Sequence, residues 1–277
     1  MIYLLNDEIG FPDPREGDED GLFALGGDLS MERLLLAYSY GIFPWYAFRA
    51  EDTDPSLVDP ETGKPYIQWW CPMRRFVIFP DEIHVSHSMR QELKRVERGE
   101  LRVTMNRAFH QVIDQCGRLR EEGTGAWLGD DMKQAYCRLH EEGFAASVEV
   151  WRKRPSPALP DETTQDKPDE TTQDKPEETT QDKPGETANG QLGAQEHTDD
   201  WELVGGLYGV TLGRGFYGES MFSLMPSASK VALVTLAGVM KQLGVKLIDC
   251  QFETPHLRSM GGRYIDYEEY LRLIRGT

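Results

Sequence analysis

Residues 201–223 read WELVGGLYGVTLGRGFYGESMFS. Two apolar, aromatic runs flank a Gly-rich point, which predicts a β-hairpin with Gly213 in its turn. FAASVEVW (144–151) upstream reads as one more strand. SKVALVTLAGVMKQL (229–243) downstream is apolar nearly all round, so it predicts a buried helix stopped by Gly244. VKLIDCQF (245–252) is the next strand, and DYEEYLRLI (266–274) a final short helix. Upstream, RRFVIFP (74–80) and LRVTM (101–105) read as strands. HVSHSMRQELKRVER reads as a helix starting at Ser86 or Ser88. NRAFHQVIDQCGRL reads as a helix capped by Asn106, and AWLGDDMKQAYCRLHEEG as a turn and a helix stopped by Gly143. Interleaved strands and helices around a mostly antiparallel set imply α+β, or α/β with a mixed sheet.

Residues 1–72 form a separate aromatic-rich block, a small N-terminal domain before a larger one over 73–277. MERLLLAYSY (31–40) is a helix with Asp28 or Ser30 at its N-cap. IFPWY follows, then a Pro-, Asp- and Thr-rich loop over 50–66, then IQWWCP.

The strand 144–151 runs into DETTQDKP, DETTQDKP and EETTQDKP, a period of eight over 161–184. The repeat is nearly devoid of apolar side chains and carries a Pro in each copy. It cannot offset the entropy of ordering, nor run as a helix. Residues 155–200 are therefore expected to be a disordered insertion in a hairpin loop, where length is tolerated.

The chain has 277 residues and a formal net charge of −17. That balance excludes a protein that coats nucleic acid through a basic surface. The acid is unevenly placed. Residues 161–200 hold 13 acidic and 3 basic side chains, a net of −10. Residues 71–120 hold 10 basic and 6 acidic ones, a net of +4. Arg90, Lys94, Arg95 and Arg98 cluster on one predicted helix, either as a solvated face or as a phosphate-binding one. The four cysteines form no zinc spacing and suit a reducing compartment. No signal peptide or membrane span is read, so a cytoplasmic location is expected.

Three further groups could carry chemistry. Along VKLIDCQF, Asp249 and Gln251 share a face with Val245 and Leu247, with Cα atoms roughly 7 Å apart. Asp249 could then reach the Gln251 amide N–H and leave the Gln251 carbonyl as an outward acceptor. The plain alternative is a polar strand end. Glu219 falls with Tyr217 and Met221 on one face of its strand. It is either one exposed acid on a hairpin or a buried carboxylate in need of a partner. Trp45, Trp69, Trp70 and Trp127 sit in or beside loops. Indoles there can stack on bases, or hold the two domains together; for Trp69 and Trp70 the second role is expected.

Taken together, GLFALGGDLS (21–30), YGIFPWY (40–46), WWCPMRR (69–75), HVSHSM (84–89), VTMNRAFHQVI (103–113), EEGTGAWL (121–128), AYCRLHEEG (135–143), SVEVW (147–151), LVGGLYGV (203–210), FYGESMFS (216–223), ASK (228–230) and LIDCQ (247–251) resemble the leucyl/phenylalanyl-tRNA–protein transferase family. The stretches run in family order, with the insertion unmatched. The resemblance implies an enzyme that moves Leu or Phe, less often Met, from aminoacyl-tRNA to the N-terminal amine of proteins beginning with Arg or Lys. That transfer marks them for degradation in the N-degron pathway. It implies a GNAT (acetyltransferase-like) fold for the larger domain, a monomer, and no cofactor or metal. It implies Asp249 and Gln251 as catalytic pair, with Glu219 nearby, and an aminoacyl pocket of Leu207, Phe216, Met221, Leu233 and Met240. Trp45 and Trp127 would stack on the terminal adenosine of the tRNA, and Arg90, Lys94 and Arg95 would bind its phosphates. A CoA-dependent GNAT acetyltransferase would need a pyrophosphate loop of the R/Q-x-x-G-x-G/A kind, for which there is no convincing match. A non-catalytic RNA-binding adaptor would leave Asp249, Gln251 and Glu219 without a reason to occur together.

Overall fold

The computed structural model describes residues 2–18, 20–45, 53–121, 128–154 and 200–276. The expected insertion over 155–200 therefore lies outside the described residues except for Asp200. A first sheet of four strands has the order β1 (Tyr3–Leu5), β2 (Leu22–Gly26), β4 (Gln68–Trp70), β3 (Phe43–Trp45). The helix α1 (Met31–Ser39) follows β2, and Ser30 caps it by accepting from the Arg33 N–H. Trp69 is fully buried beneath this sheet, donating its indole N–H to the Gly26 carbonyl at 2.9 Å.

The second sheet has seven strands in the order β11 (Arg263–Asp266), β5 (Arg74–Ile78), β10 (Leu247–Asp249), β9 (Gly215–Ser223), β8 (Trp201–Leu212), β7 (Ala145–Lys153), β6 (Leu101–Met105). Its pairings are antiparallel except β9 with β10, which is parallel. The mixed sheet expected from the sequence is thus present. α5 (Ala228–Gln242) makes the crossover that a parallel pair requires.

Period-two alternation splits the apolar residues between two faces. Phe76, Leu207, Phe216 and Ile248 point to the side covered by α2 (His87–Glu97), α5 and α6 (Pro255–Ser259). Val77, Tyr208, Tyr217 and Leu247 point to the side covered by α3 (Phe109–Glu121), α4 (Asp130–Glu141), α7 (Tyr267–Arg275) and the N-terminal sheet.

Three local expectations are corrected. α5 is buried along one face only, because it lies over the outside of the sheet and turns Gly238, Lys241 and Gln242 to solvent. Asn106 does not cap α3. It sits at φ 57° and accepts the Ser147 N–H through Oδ1 at 2.9 Å. The buried Glu149 carboxylate takes the free N–H of Ala108 at the start of that helix. VKLIDCQF is extended only as far as Asp249.

The β8–β9 hairpin carries a bulge. Tyr208 pairs with Ser220 and Gly209 with Gly218, which leaves Glu219 as the extra residue. A Cβ on Gly209 would come within 2.2 Å of the Tyr217 carbonyl oxygen and 2.6 Å of the Phe216 ring. Gly209→Ala is expected to destabilise the fold by about 2 kcal/mol, because the collision is with backbone that cannot move without closing the bulge. A urea titration measures it.

Candidate active site

β9 and β10 begin in register, with Tyr217 opposite Asp249. Beyond that pair they part. β9 runs on to Ser223, whereas the chain after Asp249 turns away. A cavity of about 460 Å³ opens at the divergence. That lies in the usual range for small-ligand sites, about 300–1,000 Å³. Its floor is apolar, from Leu207, Phe216, Met221, Leu233, Leu236, Ile248 and Leu257. Its mouth is aromatic, from the exposed Trp45 and Phe252, with Phe43 buried behind them. Trp45 and Trp70 lie 5.9 and 6.4 Å from the Phe252 ring, so Trp70 joins the N-terminal sheet to the turn after β10 as expected, whereas the ring contact of Trp69 is with Phe11 in its own block.

Asp249 ends β10 and is fully buried. Its Oδ2 accepts from Arg75 Nε at 3.0 Å and from the Tyr270 hydroxyl at 2.6 Å. Its Oδ1 accepts the backbone N–H of Gln251 at 2.9 Å, an Asx turn that stops the strand. Gln251 consequently adopts φ 57°. That is an uncommon conformation for a residue with a Cβ, costing about 1–2 kcal/mol. The expected strand face shared by Asp249 and Gln251 does not form. Gln251 lines the cavity; Asp249 does not, and it grips the Gln251 backbone instead of its side-chain amide. Arg75 is buried with Asp249. It also donates to the Gly41 carbonyl and lies between the Phe43 and Tyr270 rings, each 4.9 Å from its guanidinium carbon. One buried cation thus ties α1's end, β5, β10 and α7 to the turn that presents Gln251.

The bulge turns Glu219 into the cavity wall. Its Oε1 receives the Tyr38 hydroxyl and its Oε2 the Tyr136 hydroxyl, each at 2.7 Å, and the two hydroxyls are 2.9 Å apart. Burial raises the Glu219 pKa to about 7, against the pull of the two tyrosine hydrogen bonds and with some help from the Asp249 charge. A carboxyl poised near neutrality in a cleft marks a functional-site candidate. Ser220 Oγ and His256 Nε2 also belong to cavity residues, and both are buried without a hydrogen-bond partner.

Of the expected aminoacyl pocket, Leu207, Phe216, Met221 and Leu233 line the cavity. Met240 does not; it is one and two helical turns beyond Leu236 and Leu233, in the core behind them. Trp45 stands at the mouth. Trp127 lies outside the described residues. Arg90 and Lys94 are exposed on α2, away from the cavity lining. Arg95 differs from expectation, because Glu92 and Glu100 each hold it at 3.0 Å. Among the described residues no group of three His, Cys, Asp or Glu side chains converges on a possible metal position. No described helix is long and apolar enough to cross a membrane.

The residues that sequence reasoning missed are Tyr38, Tyr136, Arg75, Tyr270 and His256. Arg75 did leave a signal, since it shares a face with Val77 in a strand whose later residues, Phe76 to Ile78, are all apolar. A cation there demands a buried partner. The tyrosines left none, because each sits on an apolar helix face where core packing is the ordinary reading.

Comparison with known proteins gives a consistent result. Residues 77–155 and 188–275 match a family model described as leucyl/phenylalanyl-tRNA protein transferase, and residues 27–73 match that of its N-terminal domain. A leucyl/phenylalanyl-tRNA–protein transferase of Flavobacterium johnsoniae is 38% identical over 276 residues, covering 99% of both chains. One from Syntrophus aciditrophicus is 41% identical, covering 99% of this chain and 88% of its own. One from Myxococcus xanthus is 41% identical, covering 94% and 85%.

Proposed function

The chain belongs to the leucyl/phenylalanyl-tRNA protein transferase family, and on that premise we propose that it moves Leu or Phe, and less readily Met, from aminoacyl-tRNA to the N-terminal amine of proteins beginning with Arg or Lys. The observation that carries the reading is the cavity itself: an apolar floor, an aromatic mouth, and polar groups on its wall that include Glu219 and Gln251. An unbranched or branched apolar side chain fits such a floor. One methylene in it is worth only about 1–3 kcal/mol, so Met is admitted at a disadvantage.

The tRNA ester is already activated towards amines. A protein α-amine has a pKa near 7.7–8.0, so about a tenth is neutral at pH 7. Catalysis is then chiefly positioning. Glu219 accepts a hydrogen bond from the α-amino group of the bound aminoacyl ester. Gln251 offers its carbonyl to the attacking amine, and Asp249 acts through the Gln251 backbone. Asp249 is therefore a positioning residue. Trp45 stacks on the terminal adenosine; the same role for Trp127 rests on the resemblance alone. Arg90 and Lys94 meet phosphates, with Arg95 held in place by its two carboxylates. The larger domain, 73–277, is read as GNAT-like, with substrate at the parting of its parallel strands, and 1–72 as a domain that closes the site. The product is a protein marked for degradation, and the enzyme acts as a cytoplasmic monomer.

The test is transfer of labelled Leu from Leu-tRNA to a peptide beginning with Arg, beside one beginning with Glu. Label should enter the first peptide only, vanish when the tRNA is digested by RNase, and be indifferent to CoA. Acetyl transfer from acetyl-CoA, or RNA binding without transfer, would replace this reading with one of its alternatives.

The segment 155–199 is proposed to be a spacer outside the catalytic fold. The Arg154 N–H reaches the Asp200 carbonyl at 2.8 Å, so β7 and β8 are already closed as a hairpin at its root. Replacing 155–199 by Asn-Gly, a two-residue hairpin turn, is expected to leave the transfer rate unchanged. Loss of soluble protein or of transfer would assign the segment a structural or catalytic part.

A further inference from the structure

The hairpin of β8 and β9 holds six glycines, and the fold itself accounts for five of them. A Cβ would strike Ala228 at Gly205, the Val148 carbonyl at Gly206 and the Tyr217 carbonyl at Gly209, at 2.4, 2.7 and 2.2 Å. At Gly215 it would press on the Tyr217 and Ile274 side chains at 3.2 Å, and Gly213 has the positive φ of the turn, 59°. Gly218 has no such reason. A Cβ there would meet one atom within 4 Å, the Asp249 carbonyl oxygen at 3.4 Å, which is ordinary contact. Its φ lies outside the left-handed region. Glycine inside a strand weakens it relative to alanine. One without a steric reason marks a place where a ligand or another backbone comes close.

What Gly218 faces is the cavity. It lines the wall and is only partly buried. Phe216 precedes it by two residues on the same face, and Met221 follows beyond the bulge; both line the cavity floor. Gly218 leaves a place without a side chain between them. Its neighbours are the two polar groups assigned to the reaction. Glu219 is next in the chain, and the Asp249 carbonyl leads two residues on into Gln251.

We propose that the bare backbone of β9 at Gly218 touches the α-carbon and ester carbonyl of the bound aminoacyl group, a reading that rests on the function proposed above. Glu219 on one side takes the α-amino group, and Gln251 on the other meets the attacking amine. The atoms that join those two points are the α-carbon and the carbonyl carbon. They pass over Gly218, while the side chain goes down to Leu207, Leu233 and Leu236. A methyl group at 218 would lift the ester from both polar groups. The contact is with atoms that every donor shares, so it serves Leu, Phe and Met alike.

The experiment uses the full chain carrying Gly218→Ala, with Gly238→Ala as control. Gly238 is exposed on α5, and a Cβ there would meet nothing within 4 Å. Both variants should unfold at the urea concentration of wild type or a higher one. Gly238→Ala should transfer Leu to a peptide beginning with Arg at the wild-type rate. Gly218→Ala should lose about 100-fold in kcat/KM, the loss that a displacement of about 1 Å brings, and by the same factor with Leu-, Phe- and Met-tRNA. Deacylated tRNA should inhibit it as it does wild type, because the contacts to adenosine and phosphate are untouched. Transfer by Gly218→Ala within about threefold of wild type overturns the proposal. A lower urea midpoint or an insoluble chain overturns it by returning Gly218 to the fold. A loss that differs among the three donors overturns it by moving the contact to the side-chain floor, and weaker inhibition by deacylated tRNA by moving it to the nucleotide. A wild-type chain that makes no Leu-peptide at all refutes the transferase reading; an active Gly218→Ala chain refutes only the contact.

Discussion

Asp249→Ala should lower the stability of the fold by about 3–5 kcal/mol, the largest effect expected of a single substitution here. Arg75 is 1% exposed, and its guanidinium has Asp249 as its ion-pair partner at 3.0 Å. Removing the carboxylate leaves that cation buried and unpaired, strips the Tyr270 hydroxyl of its acceptor, and frees the Gln251 turn. Arg75→Ala should cost a similar amount for the mirror reason. The two losses overlap, so Arg75→Ala combined with Asp249→Ala should fall well short of their sum. Urea titration of the three variants against wild type supplies the cycle. A result in which the double change adds the two single ones would show that the pair is not one unit. The same variants separate scaffold from chemistry. If Asp249 works through the Gln251 backbone, transfer should fall in step with the loss of that turn. An Asp249→Asn chain that folds, keeps the turn and still transfers at full rate would be consistent with positioning and would exclude a charge relay.

The reason the Asp249–Gln251 arrangement was only half legible is physical. Alternation along VKLIDCQF predicts a shared face, and alternation holds for as long as the ladder does. The Asx turn at Asp249 stops the ladder two residues early and sends Gln251 into a left-handed conformation that no periodicity encodes. Glu219 shows the same limit from the other side. Its strand was legible, but the bulge that aims it at the cavity follows from the close approach of Gly209 to the Tyr217 carbonyl, a tertiary contact. What the sequence did carry well were elements with local causes: Ser30 at the start of α1, Gly213 in the hairpin turn, and the apolar residues of β8, β9 and α5 that become the cavity floor. The polar shell around that floor comes from α1, α4, α6 and α7. Four tyrosine or histidine side chains there look like ordinary helix residues until the fold brings them together.

Glu219→Gln should pull stability and activity in opposite directions, and pH makes the opposition visible. The Glu219 carboxyl titrates at about 7 in the folded chain, against an ordinary value of 4.5. Below the ordinary value it is neutral whether the chain is folded or not, and its contribution is complete. Between there and pH 7 the unfolded chain ionises first, so the folded state loses stability as pH rises. Above pH 7 both states are ionised and the slope from this group ends. Allowing for the partial exposure of the site, the loss across that window is about 2 kcal/mol. Glutamine stays neutral throughout. The variant should match wild type in acid and exceed it at pH 8, a difference read directly from paired urea titrations. Transfer should move the other way. An ionised carboxylate accepting from the α-amino group of the aminoacyl ester makes a charge-assisted hydrogen bond, worth about 1.5–3 kcal/mol. The variant should therefore lose about 10- to 100-fold in kcat/KM at pH 8, where it is the more stable protein. Such a result cannot come from damage to the fold. A variant that keeps full transfer would remove Glu219 from substrate binding, and a wild-type slope that survives in the variant would assign the titration to another group.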